Sequence, residues 1–307
     1  MKTSHARQLI ITSPIGRDSL HGTLHPPLGN GLEPRTNGGS GNRVGVLFLN
    51  SGFLPRSGSG DSAVQWADSV AQQGYPAFRI DLPGLGDSKG HLPLKFLDLV
   101  RLINAGYHSK WLRSTVRDLA ERFFLAGVIL VGPCAGATSA IYGASDSTYV
   151  KGIVLLDPYF HLPQDRSNIP GTPAFAALMN RIRDTSREAA NRLRYEVQGR
   201  RLPKNTNFPL IRRWKRLASA NLPILVFTAD TTRPRPEEFD YVRYLETCSP
   251  RNGSLVVKRI EGTDHSFLRG PGKEAVRMYV GQWLDLNFPL MKATARADIE
   301  HEVVTQL

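Results

Sequence analysis

A cysteine flanked by glycines is the residue of this chain whose neighbours best suit it to act as a nucleophile. The segment reads Gly132-Pro133-Cys134-Ala135-Gly136. It follows an apolar run at residues 127–131 and precedes small residues at 135–144, which predicts a strand, a sharp turn and a helix. Glycine two positions to either side allows strand and helix to approach closely. The helix N-terminus favours a thiolate, so Cys134 is predicted to be a nucleophile, and a buried structural cysteine is the alternative.

A histidine near the end of the chain is the matching candidate base. The segment Gly262-Thr263-Asp264-His265-Ser266-Phe267 follows the last predicted strand, residues 254–260. His265 in such a loop could take the thiol proton and return it to a leaving group. His108 and His161 are the alternatives, and a satisfied polar contact is the simpler interpretation of each. Cys248 lies in a Thr-Cys-Ser-Pro loop without neighbours that would activate it.

A carboxylate should orient the imidazole and stabilise the imidazolium. In the chain order nucleophile, acid, base, it should lie between Cys134 and His265 at the end of a strand. Asp230, after the predicted strand 222–228, is the predicted acid. Asp157, after the predicted strand 150–156, is the alternative, and Asp264 is expected to turn its own loop.

Backbone N–H groups are the expected oxyanion donors. The Ala135 N–H is the first, because it follows the nucleophile. The second should come from the loop after the first buried strand, residues 44–49, at Gly52 or Phe53. The glycine-rich segment 81–88 predicts a tight structural turn rather than a phosphate-binding loop.

Apolar patterns along the chain alternate between strand and helix. The predicted strands are residues 8–13, 20–25, 44–49, 76–80, 127–131, 150–156, 222–228 and 254–260, and the predicted helices are 62–73, 109–124, 135–144, 236–245 and 273–286. Such alternation predicts an α/β fold with a mostly parallel sheet covered on both faces. Residues 160–221 lack a strand pattern and contain helical pieces at 173–193 and 210–219. They are predicted to form a helical cap inserted into a core of residues 1–159 and 222–287, followed by a tail, 288–307.

Composition limits the function classes. The 307 residues include 39 Lys+Arg and 27 Asp+Glu, a net charge of +12, and 41% are hydrophobic, as in a globular protein. No apolar run approaches the roughly 20 residues of a membrane span, and the N-terminus has no signal-peptide core. Two cysteines without metal spacing favour a reducing cytoplasm, and no metal or cofactor is expected. Residues 181–216 hold twelve basic and three acidic residues, which predicts a solvated face or a docking surface for an anionic partner; no nucleic-acid motif accompanies them.

These features together resemble the α/β-hydrolase superfamily over residues 7–287. The segment 79–88 is similar to that superfamily's R-x-D-x-x-G-x-G-x-S sequence. More narrowly, Asn50-Ser51-Gly52, Arg56 and Gly58 together with the cysteine turn resemble hydrolases associated with exosortase A systems, in the serine aminopeptidase-like group. Their turn usually reads G-L-C, where this chain has Pro133. The resemblance implies an α/β-hydrolase fold with an eight-stranded, mostly parallel sheet and a helical lid. It places the acid in a segment matching Thr228-Ala229-Asp230, whereas the wider superfamily pattern points to position 232, a threonine.

The resulting expectation is a hydrolase or acyltransferase that acts on an ester, thioester or lactone through an acyl-Cys134 intermediate. The expected substrate is a small acyl compound, with acyl carrier protein and coenzyme A thioesters as anionic candidates for the basic cap. Two alternatives stay open. One is a binding protein of the same fold without catalysis, and the other is different chemistry in the same pocket, such as C–C cleavage or cyclisation.

Overall fold

A single sheet carries the site, and the computed structural model describes it within residues 6–15, 18–28, 43–93, 95–162, 202–232, 239–249 and 253–290. The strands are β1 (Gln8–Ile15), β2 (Asp18–His25), β3 (Val44–Phe48), β4 (Ala77–Ile80), β5 (Gly127–Pro133), β6 (Val150–Leu156), β7 (Ile224–Ala229) and β8 (Leu255–Ile260).

The order across the sheet is β1-β2-β4-β3-β5-β6-β7-β8. β1 and β2 pair antiparallel, β2 pairs antiparallel with β4, and the pairs from β4 to β8 are parallel. Every residue of β3 and β4 is buried, as expected for strands covered on both faces, and the continuous apolar sequence of β3 predicts this. The predicted α/β fold with an eight-stranded, mostly parallel sheet is therefore confirmed, and the carboxyl ends of β3 to β8 lie at one edge.

Helices cover both faces. They are α1 (Ser62–Gln72), α2 (Phe96–Asn104), α3 (Ser109–Arg122), α4 (Ala135–Ala144), α5 (Phe208–Ser219), α6 (Tyr241–Cys248) and α7 (Gly272–Asn287). One apolar cluster joins α1 and α7 to the sheet through Trp66, Val280 and Trp283. The other joins α3, α4, α5 and α6 to the opposite face. None of the helices named here has the length and apolar content that crossing a bilayer requires.

The structure differs from the predicted elements in several places. The sequence analysis missed α2, although Leu99 and Ile103 lie four residues apart on its buried side. The helix predicted at 236–245 is observed as α6, which begins after Asp240, whose carboxylate accepts the Arg243 N–H at 2.9 Å. Phe288, in the predicted tail, packs on Trp283 at 5.6 Å between ring centroids.

The predicted cap falls largely outside the described residues. Residues 163–201, including the predicted helix 173–193, belong to that part, as do residues 291–307 of the predicted tail. The last predicted cap helix is observed as α5. Its buried Leu210, Ile211 and Trp214 join the core cluster against α4, so this helix is part of the core layer.

A chain of polar side chains ties the antiparallel edge of the sheet to the loop after β3. Asp68 lies 2.6 Å from His25 Nδ1, and Arg79 Nε donates to His25 Nε2 at 2.8 Å. Because Nε2 accepts a hydrogen bond, His25 is neutral with its proton on Nδ1. Arg79 also donates to the Arg56 carbonyl at 3.1 Å. Burial and the charge of Arg79 together lower the pKa of His25 to about 4, against the raising effect of the Asp68 hydrogen bond.

Acid should weaken the fold through this histidine. The pKa of His25 is about 4 in the folded chain and ordinarily 6.5, so its stabilising contribution is present above pH 6.5 and is lost as the pH falls toward 4. Between pH 7 and pH 5 the expected loss in free energy of unfolding is at most about 2 kcal/mol. Urea denaturation across this range should show a shallower pH dependence for His25→Gln than for the unsubstituted protein. Parallel pH profiles would contradict the assignment.

Candidate active site

The turn between β5 and α4 has the backbone geometry that its glycines predict. Cys134 has φ +53° and ψ −119°, a left-handed conformation that side chains rarely adopt. Its N–H donates to the Leu156 carbonyl at 2.8 Å, and its carbonyl accepts from the Ala137 N–H at 3.0 Å. A Cβ added to Gly132 would lie 2.3 Å from the Gly136 carbonyl oxygen. Glycine is therefore required for this close approach, which sets Cys134 at the N-terminus of α4.

His265 pairs with Asp157, the alternative acid of the sequence analysis. Their Nδ1 and Oδ2 atoms lie 2.6 Å apart. Asp157 is buried at the end of β6, and its own φ is +51°. A carboxylate only accepts hydrogen bonds, so Nδ1 carries the proton and Nε2 is the nitrogen left for Cys134.

Asp157 is also held by β7. Thr232 Oγ1 lies 2.7 Å and 2.6 Å from the two carboxylate oxygens, and the Ala229 N–H donates to Oδ1 at 3.3 Å. The threonine thus stands at the position where the wider superfamily pattern expects an acid, and supports an acid supplied by the neighbouring strand. The sequence analysis missed this role of Thr232. The sequence showed only that position 232 lacks the acid that the wider superfamily pattern expects.

The hydrogen bond between His265 and Asp157 favours the alternative acid over Asp230, the acid that the sequence analysis preferred. Asp230 is exposed and accepts the Gly262 N–H at 3.4 Å, in the loop that carries His265. It lies directly after β7, in a short 3-10 turn. Asp264 turns its own loop as expected, because its Oδ1 accepts from the N–H groups of Leu268 and Arg269.

Cys134 and Asp157 flank the imidazole and determine its charge. Burial alone would lower the pKa of His265, but hydrogen bonds to Asp157 and Cys134, together with the charges of these groups, raise it to about 10. The imidazole is therefore protonated at neutral pH when the thiol is ionised, as in a thiolate–imidazolium pair.

Tyr159, which the sequence analysis did not single out, also contacts the ring. Its hydroxyl lies 3.3 Å from Nδ1 and 3.4 Å from Nε2 of His265, and the two ring centroids are 5.1 Å apart. Burial and the charges of Cys134 and Asp157 raise the pKa of Tyr159 to about 12. Its hydroxyl therefore keeps its proton at neutral pH.

The predicted oxyanion donors lie in a loop that packs on the start of α4. Gly52 has φ +60° and open space on its Cβ side, and Phe53 is 42% exposed. A Cβ on Gly136 would lie 2.6 Å from the Asn50 carbonyl, so the loop begins against the first turn of the helix. Ala135 opens that turn, where N–H groups have no partner within the helix.

Asp81, fully buried, fixes the shape of this loop. Its Oδ1 accepts from Asn50 Nδ2 at 2.9 Å and from the Arg56 N–H at 2.7 Å, and Arg56 also forms an ion pair with it. The Asn50 amide oxygen accepts from the Leu82 N–H at 2.9 Å. The segment 81–88 thus acts as a structural turn, as predicted. The residues Asn50 and Arg56, singled out by resemblance, hold the loop rather than face a substrate.

The structure places the other candidates in different surroundings. His108 is buried, and burial lowers its pKa to about 4 against the raising effect of a backbone contact with Pro83. His161 is exposed and stacks against Tyr241 at 6.3 Å between centroids. Cys248 is exposed at the end of α6.

The two aspartates offer a matched test of the acid. Asp157→Asn should lower kcat/KM about 100-fold or more, because the neutral amide no longer stabilises the imidazolium. Asp230→Asn should stay within about threefold of the unsubstituted protein. Thermal unfolding of both variants checks that they fold. A larger loss for Asp230→Asn would contradict the assignment.

The glycines of α4 offer a matched test of the close approach. Gly136→Ala gains helix propensity, yet overpacking against the Asn50 carbonyl should cost a net of about 1–3 kcal/mol and slow the reaction. In Gly143→Ala the added Cβ would lie 3.1 Å from the Leu112 side chain rather than against a carbonyl oxygen. The loss in free energy of unfolding should therefore be smaller and the reaction rate unchanged. Urea denaturation and initial rates measure both effects. Equal behaviour of the two variants would contradict the role given to Gly136.

Comparisons with known proteins agree with the fold. No curated protein sequence matches the chain. Among solved structures, DcsB in complex with its substrate analogue has a TM-score of 0.59 at 16% identity and covers 92% of this chain and 99% of its own. An esterase from Pyrococcus furiosus has a TM-score of 0.59 at 14% identity, covering 93% and 92%. Est1E from Butyrivibrio proteoclasticus, with ferulic acid bound, has a TM-score of 0.54 at 17% identity, covering 91% and 98%. At these identities the similarity shows the fold.

The profile of the alpha/beta hydrolase family matches residues 46–288, and the chain belongs to that family.

Proposed function

We propose that this alpha/beta hydrolase is an acyl hydrolase or acyltransferase that forms an acyl thioester on Cys134. The observation that carries the proposal is the continuous contact from Cys134 to His265 to Asp157 beside a helix N-terminus. A buried structural cysteine needs no ionisable partner, whereas a nucleophilic cysteine needs a base and an orienting group. The esterases among the structural neighbours support acyl chemistry in general.

Acylation follows from the positions of the protons. His265 Nε2 takes the Cys134 proton, and the thiolate sulfur attacks the acyl carbonyl carbon to form the C–S bond. The carbonyl oxygen becomes an oxyanion, stabilised by the Ala135 N–H and that of Gly52 or Phe53. When the bond to the leaving atom breaks, Nε2–H returns its proton to that atom. Acyl-Cys134 and the free leaving group result.

Deacylation uses the same groups in reverse order. Nε2 takes a proton from an acceptor hydroxyl, amine or thiol, and the acceptor attacks the thioester carbonyl. The Cys134 thiolate then leaves and regains its proton from the imidazolium. Water as acceptor gives hydrolysis, and another nucleophile gives acyl transfer.

Thioesters are the proposed preferred substrate class. In the tetrahedral adduct of a thiolate with an alkyl ester, sulfur is the better leaving group, so the adduct mostly returns to substrate. With a thioester, two sulfurs of similar basicity compete and acylation proceeds. Esters and lactones should acylate Cys134 more slowly than thioesters of the same acyl group.

An anionic carrier, acyl carrier protein or coenzyme A, is part of the proposal because residues 181–216 are strongly basic. Within the described part of that segment, Arg213 and Arg216 donate to Asp146 at 2.8 Å and 2.9 Å. Asp146 lies beyond the C-terminus of α4, ten residues of helix away from Cys134, or roughly 15 Å. These arginines therefore lie far from the thiol.

Intact mass after incubation with a panel of acyl-N-acetylcysteamine thioesters tests the covalent step. The protein should gain one acyl mass. Cys134→Ala should gain none, whereas Cys248→Ala, which removes the exposed free thiol, should gain the same mass as the unsubstituted chain.

Two results would overturn the acyl-cysteine proposal. One is a label that persists in Cys134→Ala and disappears in Cys248→Ala. The other is hydrolysis of the thioesters at an undiminished rate by Cys134→Ala. Binding of the thioesters without acylation or turnover would instead indicate a binding protein.

A further inference from the structure

A cavity of about 500 Å³ opens beside Asp157 and Tyr159, which both contact the His265 ring. Its walls come from the segment after β6, from β7 and the turn after it, from β8 and from the start of α6; they include Asp157, Tyr159, His161, Thr232, Phe239 and Tyr241. The loop of residues 50–56 contributes none of the described wall residues. The mechanism above does not use this cavity.

The sheet order places the cavity and the oxyanion loop on opposite sides of Cys134. β5, which carries the cysteine, lies between β3 and β6. The loop with the oxyanion donors follows β3, whereas the cavity walls follow β6, β7 and β8. Tyr159 connects the cavity to the imidazole, because it lines the wall and its hydroxyl lies 3.4 Å from Nε2.

This arrangement, together with the acyl-cysteine mechanism on which the inference rests, assigns a ligand to the cavity. In the tetrahedral intermediate the oxyanion points to the N–H donors, while the leaving atom must reach Nε2–H for its proton. The group attached to the leaving atom therefore extends toward the imidazole side. We infer that the cavity binds the leaving group during acylation and the acceptor during deacylation.

The walls indicate a neutral, flat group. Aromatic rings pack in a row, with centroids 5.4 Å apart for Tyr159 and His161, 6.3 Å for His161 and Tyr241, and 4.9 Å for Tyr241 and Phe239. Such rings bind other rings in stacked or edge-to-face arrangements.

Charged groups on the wall are already paired within the protein. Arg259 donates to Glu246 at 2.7 Å, and the Asp240 carboxylate accepts the Arg243 N–H at 2.9 Å. The Tyr241 hydroxyl lies 2.8 Å from Thr206 Oγ1. A charged ligand would therefore have to compete with these internal pairs. The cavity suits an aromatic thiol, alcohol or amine, and it therefore favours a small thioester over the thioester of an anionic carrier as the acyl donor.

The size of the cavity also affects which acceptor is favoured during deacylation. A water molecule occupies about 30 Å³ of liquid, far less than the 500 Å³ available. An aromatic acceptor bound there would displace water from the imidazole and take the acyl group. Acyl transfer to such an acceptor is then expected to compete with hydrolysis.

Two substrate series test the inference with Phe239→Leu and its matched control Phe96→Leu. Phe96 is exposed on α2, where it contacts Phe53 on the other side of the cysteine. The first series keeps an acetyl group and varies the thiol, ethanethiol against benzyl mercaptan. The second keeps ethanethiol and varies the acyl group, acetyl against benzoyl.

Phe239→Leu should raise KM for the benzyl thioester about tenfold while KM for the ethyl thioester stays within about twofold and kcat is unchanged. The acetyl-to-benzoyl ratio should not change, and Phe96→Leu should alter neither ratio. With benzyl alcohol added to the acetyl-enzyme, mass spectrometry should detect benzyl acetate from the unsubstituted protein and much less from Phe239→Leu. Thermal unfolding confirms that both variants fold.

The outcomes separate this inference from the mechanism beneath it. A change in the acyl ratio instead of the thiol ratio would make the cavity an acyl pocket, and no change in either ratio would remove it from the reaction; both overturn the inference. Failure of the acyl-cysteine mechanism itself would show as turnover of these thioesters that is equal in Cys134→Ala and the unsubstituted protein.

Discussion

The contact between the end of β5 and the first turn of α4 is the constraint on which the rest of the site depends. Gly132 and Gly136 leave no room for a side chain between strand, helix and the Asn50 carbonyl. The chain can make this approach only if Cys134 takes a left-handed conformation, and that conformation directs its side chain away from the sheet at the helix N-terminus. One contact thus sets the position of the thiol, of the Ala135 N–H and of the loop that begins at Asn50.

Buried polar groups on either side of this turn fix the positions of the neighbouring loop and of Asp157. On the β3 side, Asp81 holds the loop through Asn50 and Arg56, and the pair of His25 and Arg79 holds it from the sheet edge. On the β6 side, Thr232 and the Ala229 N–H hold Asp157. Each of these groups would be costly to bury alone, and together they satisfy one another. The same interactions that stabilise the fold therefore orient the groups that the reaction would use.

The sequence predicted the parts of the site that depend on local spacing and missed those that depend on distant strands. The turn at Cys134 and the loop of His265 are continuous motifs, and the eight strands follow from apolar runs. The acid could not be chosen this way, because Asp157 and Asp230 both follow a strand, and only the folded sheet shows that Asp157 pairs with the imidazole. The role of α5 was missed for a similar reason. Its basic residues predict an exposed helix, while the face with Leu210 and Trp214 packs on α4 only once the chain has folded. The helix α2 is the exception, since its pattern was present in the sequence.

The charge state of the site connects its electrostatics to the choice of acceptor. With Cys134 ionised, His265 keeps its proton to a pKa of about 10, so the proton needed by the leaving group is in place before the carbonyl arrives. In the proposed deacylation step the thiolate is masked as a thioester, which removes one of the two charges that raise this pKa. The pKa of the imidazole then falls, so that the ring can be unprotonated near neutral pH and free to accept the proton of an incoming nucleophile. In the proposed mechanism, the choice of nucleophile depends on which acceptor reaches Nε2. The ring-lined cavity, whose wall residue Tyr159 has its hydroxyl 3.4 Å from Nε2, has room for a group much larger than water. On this proposal the acid–base pair supplies the reactivity, and the walls after β6, β7 and β8 select between hydrolysis and transfer.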